Sequence, residues 1–142
     1  MKRLLLFLLV IFLAGCNANT DSDIPVILAE EIFEIKAKEY FVLLVQDDCA
    51  GCKKAKPAAL AYHRASLLKT ELPKIYLVNM SGAANRIIVG ERGEEVIDGI
   101  SSISELRITQ TPTLIVIKEG MVSEHYIKTS EVMDFLDGAR KK

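Results

Sequence analysis

The sequence is poor in metal ligands. Its 142 residues hold two histidines, His63 and His125, and three cysteines. Cys49-x-x-Cys52 has the spacing of half a structural zinc site. Such a site needs two more ligands, most often a second Cys-x-x-Cys or paired histidines. The remaining cysteine, Cys16, is distant in the chain, and the histidines stand one in each half. Basic charge is not in excess: 18 Lys and Arg face 19 Asp and Glu, for a net charge of −1. That balance gives no reason to expect a nucleic-acid partner. The closing Arg140-Lys141-Lys142 reads as a solvated helix end that complements the dipole. The glycines at 82 and 90–93 are not followed by Lys-Ser or Lys-Thr, so the phosphate-loop pattern is missing. There is no internal repeat, and there is no tryptophan.

Long hydrophobic runs are also scarce, with one exception at the start. Met1-Lys2-Arg3 is basic, and residues 4–14 are an unbroken apolar run that ends in Leu13-Ala14-Gly15-Cys16. The run is about half the roughly 20 residues that a membrane-spanning helix needs. A short basic start, an apolar core and small residues before a cleavage point describe a targeting signal. This N-terminus resembles the lipobox of bacterial lipoproteins. The resemblance implies that residues 1–15 are removed and that Cys16 is lipidated and becomes the first mature residue. An ordinary secretory signal with an incidental cysteine is the alternative. Residues 16–23 then form a lipidated, polar and acidic tether, and residues 24–142 a single domain of ordinary size. With Cys16 carrying lipid, Cys49 and Cys52 are the remaining pair, in an extracytoplasmic compartment where disulfides persist.

That pair sits in the stretch around which the chain is organised. Phe41-Val42-Leu43-Leu44-Val45 is an apolar, partly β-branched run that reads as a strand covered on both faces. Cys49 follows at or near the start of a helix, where the dipole and the unpaired N–H groups favour a thiolate. The two-residue spacer lets Cys52 close a disulfide with Cys49. A redox pair and a soft-metal site both remain open on these residues, and the strand-to-helix setting favours the redox pair.

Residues 24–28 read as a short edge strand and 29–39 as an amphipathic helix. A strand follows at 41–46, then a helix at 49–70 that Pro57 should kink. Residues 74–79 and 113–117 are further strands. Lys118-Glu119-Gly120 makes a turn to a hairpin strand at 122–127, and Ser130 caps a final helix. Between Asn79 and Pro112, residues 86–97 suggest a β-hairpin and 102–108 a short helix. His63 reads as a surface or boundary residue, and His125 as structural.

Three marks in this order resemble the thioredoxin superfamily: Cys49-Ala50-Gly51-Cys52 after the central strand, Pro57 five residues beyond, and Thr111-Pro112-Thr113 before a strand hairpin. The resemblance covers nearly all of 24–142. It implies an α/β fold, a central mixed β-sheet flanked by helices, with residues 80–107 inserted before a cis-Pro loop. It further implies thiol–disulfide exchange, with Cys49 as nucleophile and Cys52 resolving the mixed disulfide. Thr111, Pro112, Ala50 and Gly51 would contact substrate. No cofactor is implied beyond the Cys49–Cys52 disulfide. The expected partners are exported proteins with thiols or disulfides and a membrane electron donor or acceptor, with the enzyme a lipid-anchored monomer. Two departures stand out. Asp48 replaces the tryptophan that many members carry before the first cysteine, and Leu43 replaces their buried acid. Lys53, Lys54 and Lys56 favour a Cys49 thiolate, while Asp47 and Asp48 oppose it. The Ala50-Gly51 spacer does not set the direction of electron flow. The insertion either touches the partner or is a surface elaboration. The alternative function is a non-catalytic lipoprotein of the same fold that binds a soft metal or a partner protein.

Overall fold

The computed structural model describes residues 23–142. Residues 1–22, and with them the signal sequence and Cys16, lie outside the described residues.

Strand β1, Glu39–Val45, is buried through its five central residues. Tyr40, Val42 and Leu44 join one hydrophobic cluster and Phe41 and Leu43 the other, as the two-residue period of a strand requires. β1 pairs in parallel with β2, Lys74–Asn79, and antiparallel with β3, Thr113–Lys118. β4, Met121–Tyr126, completes a mixed four-stranded sheet of order β2-β1-β3-β4. The β3–β4 hairpin turns through Glu119 and Gly120, with φ of 50° and 78°. Two successive positive φ values suit a two-residue hairpin loop, and glycine adopts one at no steric cost.

The parallel β1–β2 connection is helix α1, Ala50–Leu68, which runs on through Pro57. With no N–H at Pro57, the Lys53 carbonyl loses its usual helical donor. Helix α2, Thr129–Arg140, packs on the same side of the sheet as α1. Its N-cap is Lys128 and no side chain caps it, so Ser130 lies in the first turn and is not the expected cap.

The opposite face has no long helix. The expected helix over 29–39 is only a 3-10 turn, Ala29–Glu31. Glu31 reaches back to the Leu28 N–H at 2.7 Å, and the Tyr40 hydroxyl donates to the Ile32 carbonyl at 2.6 Å. Once that carbonyl is held by Tyr40, the helical bond it would accept is replaced. Residues 24–28 do not form a full strand. They add one parallel bridge, Val26 to Leu77, in which the Pro25 carbonyl accepts from Leu77. A proline at this edge costs no ladder bond.

The insertion also differs from expectation. Ala83–Ile88 is a 3-10 helix. The two apolar arms of 86–97 do not pair with each other: Val89 bridges Ile108 and Val96 bridges Arg107. Residues 102–108 are therefore the shared partner of both arms and not a helix. Their backbone groups are engaged between segments, with Gly90 donating to Ile108 at 2.9 Å and Arg107 to Val96 at 2.9 Å.

His63, read as a surface or boundary residue, is 4% exposed and so buried in α1. His125 lies against Asp98 of the insertion, Nδ1 to Oδ1 2.6 Å, which ties β4 to that segment.

Candidate active site

The site forms where β1 ends and α1 begins. Cys49 is the N-cap of α1, in extended conformation with φ −98° and ψ 105°. Its Sγ accepts the Cys52 N–H at 3.0 Å. This is the place where Ser, Thr, Asp or Asn usually serves, and it satisfies one of the orphan donors of the first turn. The first turn of α1 has no acidic residue to offset the dipole. A negative charge on Cys49 therefore meets N–H groups and the positive helix end together.

Cys49 and Cys52 are joined by a disulfide. Cys52 is 6% exposed, while Cys49 is only partly buried. The more accessible sulfur is thus the one at the helix cap. It lies 3.5 Å from the Thr111 carbonyl oxygen. The Thr111–Pro112 bond is cis, and Thr111 Oγ1 donates to Gln46 Oε1 at 3.1 Å, linking the proline loop to the end of β1.

Gly51 explains its own identity. A Cβ there would sit 2.5 Å from Thr129 Oγ1 and 3.0 Å from Pro112 Cδ. The absence of a side chain lets the first turn of α1, the proline loop and the start of α2 close on one point. Cys49, Ala50, Gly51, Cys52, Thr111 and Pro112 all gather here. Cys16 lies outside the described residues.

Three features of this region were not foreseen in the sequence: Gln46 bonded to Thr111, Thr129 against Gly51, and a ring beside Asp47. In the ring, Asp47 N–H donates to Ser81 Oγ at 3.0 Å and Ser81 N–H to Asn79 Oδ1 at 2.9 Å. Asn79 Nδ2 closes it on Asp47 Oδ1 at 2.7 Å. The glycine in the spacer, a residue type that permits close backbone approach, is the one sequence signal that could have indicated such a contact.

Behind Cys52 lies a cavity of about 320 Å³. Leu43 and Leu77, register partners in β1 and β2, form part of its wall. Lys53 and Lys56 reach it, and Lys54 does not. Among the described residues, no group of three or more His, Cys, Asp or Glu side chains is placed to hold a metal ion. Likewise, no helix among them is long and apolar enough to cross a membrane.

No protein-family model matches the chain, and no curated protein matches its sequence. Solved structures do. Thioredoxin f2 from Chlamydomonas reinhardtii is similar at 17% identity and a TM-score of 0.57, over 82% of this chain and 92% of the other. Mitochondrial thioredoxin 3 from Saccharomyces cerevisiae, in its oxidized form, gives 12% identity and a TM-score of 0.57, over 87% and 99%. A Malassezia sympodialis thioredoxin gives 16% identity and a TM-score of 0.54, over 84% and 92%. The fold is thioredoxin-like α/β, as the sequence marks implied.

Proposed function

We infer that this chain is a thiol–disulfide oxidoreductase, lipid-anchored at the extracytoplasmic face of a membrane and exchanging disulfides with exported proteins. The observation that carries the reaction is the Cys49–Cys52 disulfide at the N-terminus of α1, its more accessible sulfur against the Thr111 carbonyl. In the dithiol state, the Cys49 thiolate attacks a partner disulfide. One partner sulfur leaves as thiolate and a mixed disulfide forms. Cys52 then attacks Cys49 Sγ, the Cys49–Cys52 bond reforms, and the second partner sulfur leaves. The partner gains two electrons and the protein loses two. The reverse sequence oxidises a partner with the same atoms. The redox group is the cysteine pair itself.

Thr111 and Pro112 flank the sulfur where a partner chain must approach, and Ala50 and Gly51 form the other side. The basic start, apolar run and Cys16 of the sequence support the anchor. A protein redox partner is in keeping with a structural neighbour, thioredoxin f2, which was crystallised in complex with ferredoxin:thioredoxin reductase. A membrane electron donor or acceptor would restore the pair after each turnover.

Trapping tests the assignment. The full chain carrying Cys52→Ser is expected to accumulate a mixed disulfide with a disulfide-bonded substrate. Cys49→Ser is expected to accumulate none. Equal trapping by both variants would remove Cys49 from the nucleophile's role.

A further inference from the structure

The insertion is bound to the chain that leads into the proline loop. Ile108 N–H donates to the Ile88 carbonyl at 2.8 Å, and Gly90 N–H to the Ile108 carbonyl at 2.9 Å. Glycine permits this approach, since a Cβ on Gly90 would sit 3.1 Å from Arg107 Cβ and 3.3 Å from Thr109 Cγ2. Val89, bridged to Ile108, is thereby tied to the segment that ends at Thr111. The Thr111 carbonyl lies 3.5 Å from Cys49 Sγ.

A groove therefore continues from the cysteine pair onto the insertion. A small cavity of about 30 Å³ is lined by Thr111, Gln46, Met80 and Val89, among others. The last three also line a wider cleft of about 600 Å³, together with Ser81 and Arg86. Met80 is 4% exposed, so it lies at the base, whereas Val89 is 45% exposed. A single exposed valine means little. One that shares a groove with Thr111 is placed to touch what Cys49 attacks.

Arg86 is the one charged residue lining the cleft. It is exposed, and among the described residues its guanidinium pairs with no carboxylate. Asp47 donates its N–H to Ser81 Oγ but lines the other cavity, behind Cys52. The cleft thus offers an apolar base and one unpaired cation.

We propose that this groove is a specificity site for partners whose reactive cysteine is flanked, on one side, by an aliphatic and an acidic residue. The aliphatic side chain covers Met80 and Val89, and the carboxylate meets Arg86, whose planar guanidinium suits it. The inference rests on the oxidoreductase reading above and names the partner that the insertion selects. Backbone bonds hold the groove in place before the partner arrives, which limits the ordering cost of docking. The apolar contact adds affinity, and the ion pair adds selection and orientation.

The test uses the reduced full chain and synthetic peptides whose single cysteine is a disulfide to thionitrobenzoate. Attack of Cys49 on the peptide sulfur forms the mixed disulfide and releases coloured thionitrobenzoate. The peptides carry Leu with either Asp or Lys on one side of the cysteine, and both sides are tried. Comparing each variant with wild type cancels the peptides' own reactivities. For one of the two sides, the Asp-to-Lys rate ratio is expected to fall about three- to fivefold in Arg86→Gln, the scale of an exposed ion pair. It should fall further in Arg86→Glu, and the difference from wild type should shrink as salt is raised. Val89→Ser should slow both peptides and leave their ratio unchanged. Throughout, attack on 2-hydroxyethyl disulfide, which is neutral and too small to span the groove, should keep its wild-type rate. An Asp-to-Lys ratio unmoved by Arg86→Glu on either side would overturn the proposal. So would a 2-hydroxyethyl disulfide rate that changes in step with the peptides, which marks a general effect on the Cys49 thiolate. Full peptide rates in Val89→Ser would overturn the apolar contact. If the wild-type chain does not react with 2-hydroxyethyl disulfide at all, the oxidoreductase reading itself fails, a result distinct from these.

Discussion

The two faces of the sheet are covered by different means. On one, α1 and α2 pack Ala55, Ala59, Tyr62, Val132 and Leu136 against Phe41, Leu43 and Ile75. Helices satisfy most of their own backbone, so this face needs little from side-chain polar groups. On the other, 3-10 turns and irregular chain bring Ala29, Ile32, Ile88, Leu106 and Ile108 onto Tyr40, Val42 and Leu44. Here side chains supply the missing partners. Asn85 accepts the Ala29 N–H at 2.7 Å and donates to the Asn79 carbonyl at 2.7 Å. Tyr40 holds the Ile32 carbonyl. Irregular cover is thus feasible, but its polar cost rests on a few residues. The site lies on the seam. The helical face delivers Cys49 and Cys52, and the irregular side delivers Thr111, Pro112 and the ring that fixes Asp47.

The comparison breaks most sharply at the cores. Leu106 and Leu136 are both fully buried, one under each face. Leu106→Ala and Leu136→Ala should each cost about 2–5 kcal/mol in denaturant unfolding. If the faces form one cooperative unit, the losses appear in a single transition. A separate early transition in Leu106→Ala alone would show that the irregular face opens by itself.

Asn85→Ala attacks only the irregular side. It leaves the buried Ala29 N–H without its partner, at about 1–3 kcal/mol, and leaves the Asn79 carbonyl with the Gly82 N–H alone, at 3.2 Å. Asn79 also anchors Asp47, so amide exchange should rise around 29 and 79–85 while α1 stays protected. Uniform loss across both faces would contradict the division.

The seam itself is probed by Gly51→Ala. Its methyl group would meet Thr129 Oγ1 at 2.5 Å and Pro112 Cδ at 3.0 Å. The hydroxyl can rotate away, but the proline ring cannot. A destabilisation of about 1–3 kcal/mol is expected from overpacking, with exchange activity falling more than stability implies. Thr129→Ser in the same background should not relieve the Pro112 contact.

The gentlest comparison uses pH, because each face buries a tyrosine. Tyr40 bonds Ile32, and Tyr62 donates to the Pro73 carbonyl at 2.8 Å. Burial raises both phenols above their ordinary value of 10, Tyr40 to about 12. Because the folded value is the higher one, their stability is fully present below pH 10. For Tyr40 it is lost as pH rises from 10 through about 12. Tyr40→Phe should flatten part of that alkaline loss, as followed by circular dichroism, and Tyr62→Phe another part. An unchanged alkaline profile in both variants would exclude the tyrosines as its source.

The helical face was the legible one. β1 was visible as an apolar run, α1 from the cysteine pair onward, and the β3–β4 hairpin from the Glu119-Gly120 turn. Each is specified by residues adjacent in sequence. The irregular face is specified at a distance. Ile32, Phe33 and Ile35 suggested a helix, but Tyr40 takes the Ile32 carbonyl and the chain leaves the helical path. The arms around Gly90 and Gly93 suggested a hairpin, yet Val89 and Val96 find Ile108 and Arg107, residues that themselves suggested a helix. No local period announces such pairing. At the site, the Cys49–Cys52 pair was readable because its residue types carry the chemistry, and the cis-Pro loop through the family resemblance. The Asp47–Asn79–Ser81 ring was not, since it joins the ends of two strands with ordinary polar residues.

The most direct measurement is a redox titration of the full chain in glutathione and dithiothreitol buffers, counting free thiols at Cys49 and Cys52. The expected result is a single reversible two-electron transition with a midpoint between about −270 and −120 mV, the range of exchanging dithiol proteins. Its place within that range sets the direction, reductase at the low end and oxidase or isomerase at the high end. A midpoint below about −300 mV, as for inert structural disulfides, would contradict the oxidoreductase reading. So would the failure of the pair to close again after reduction.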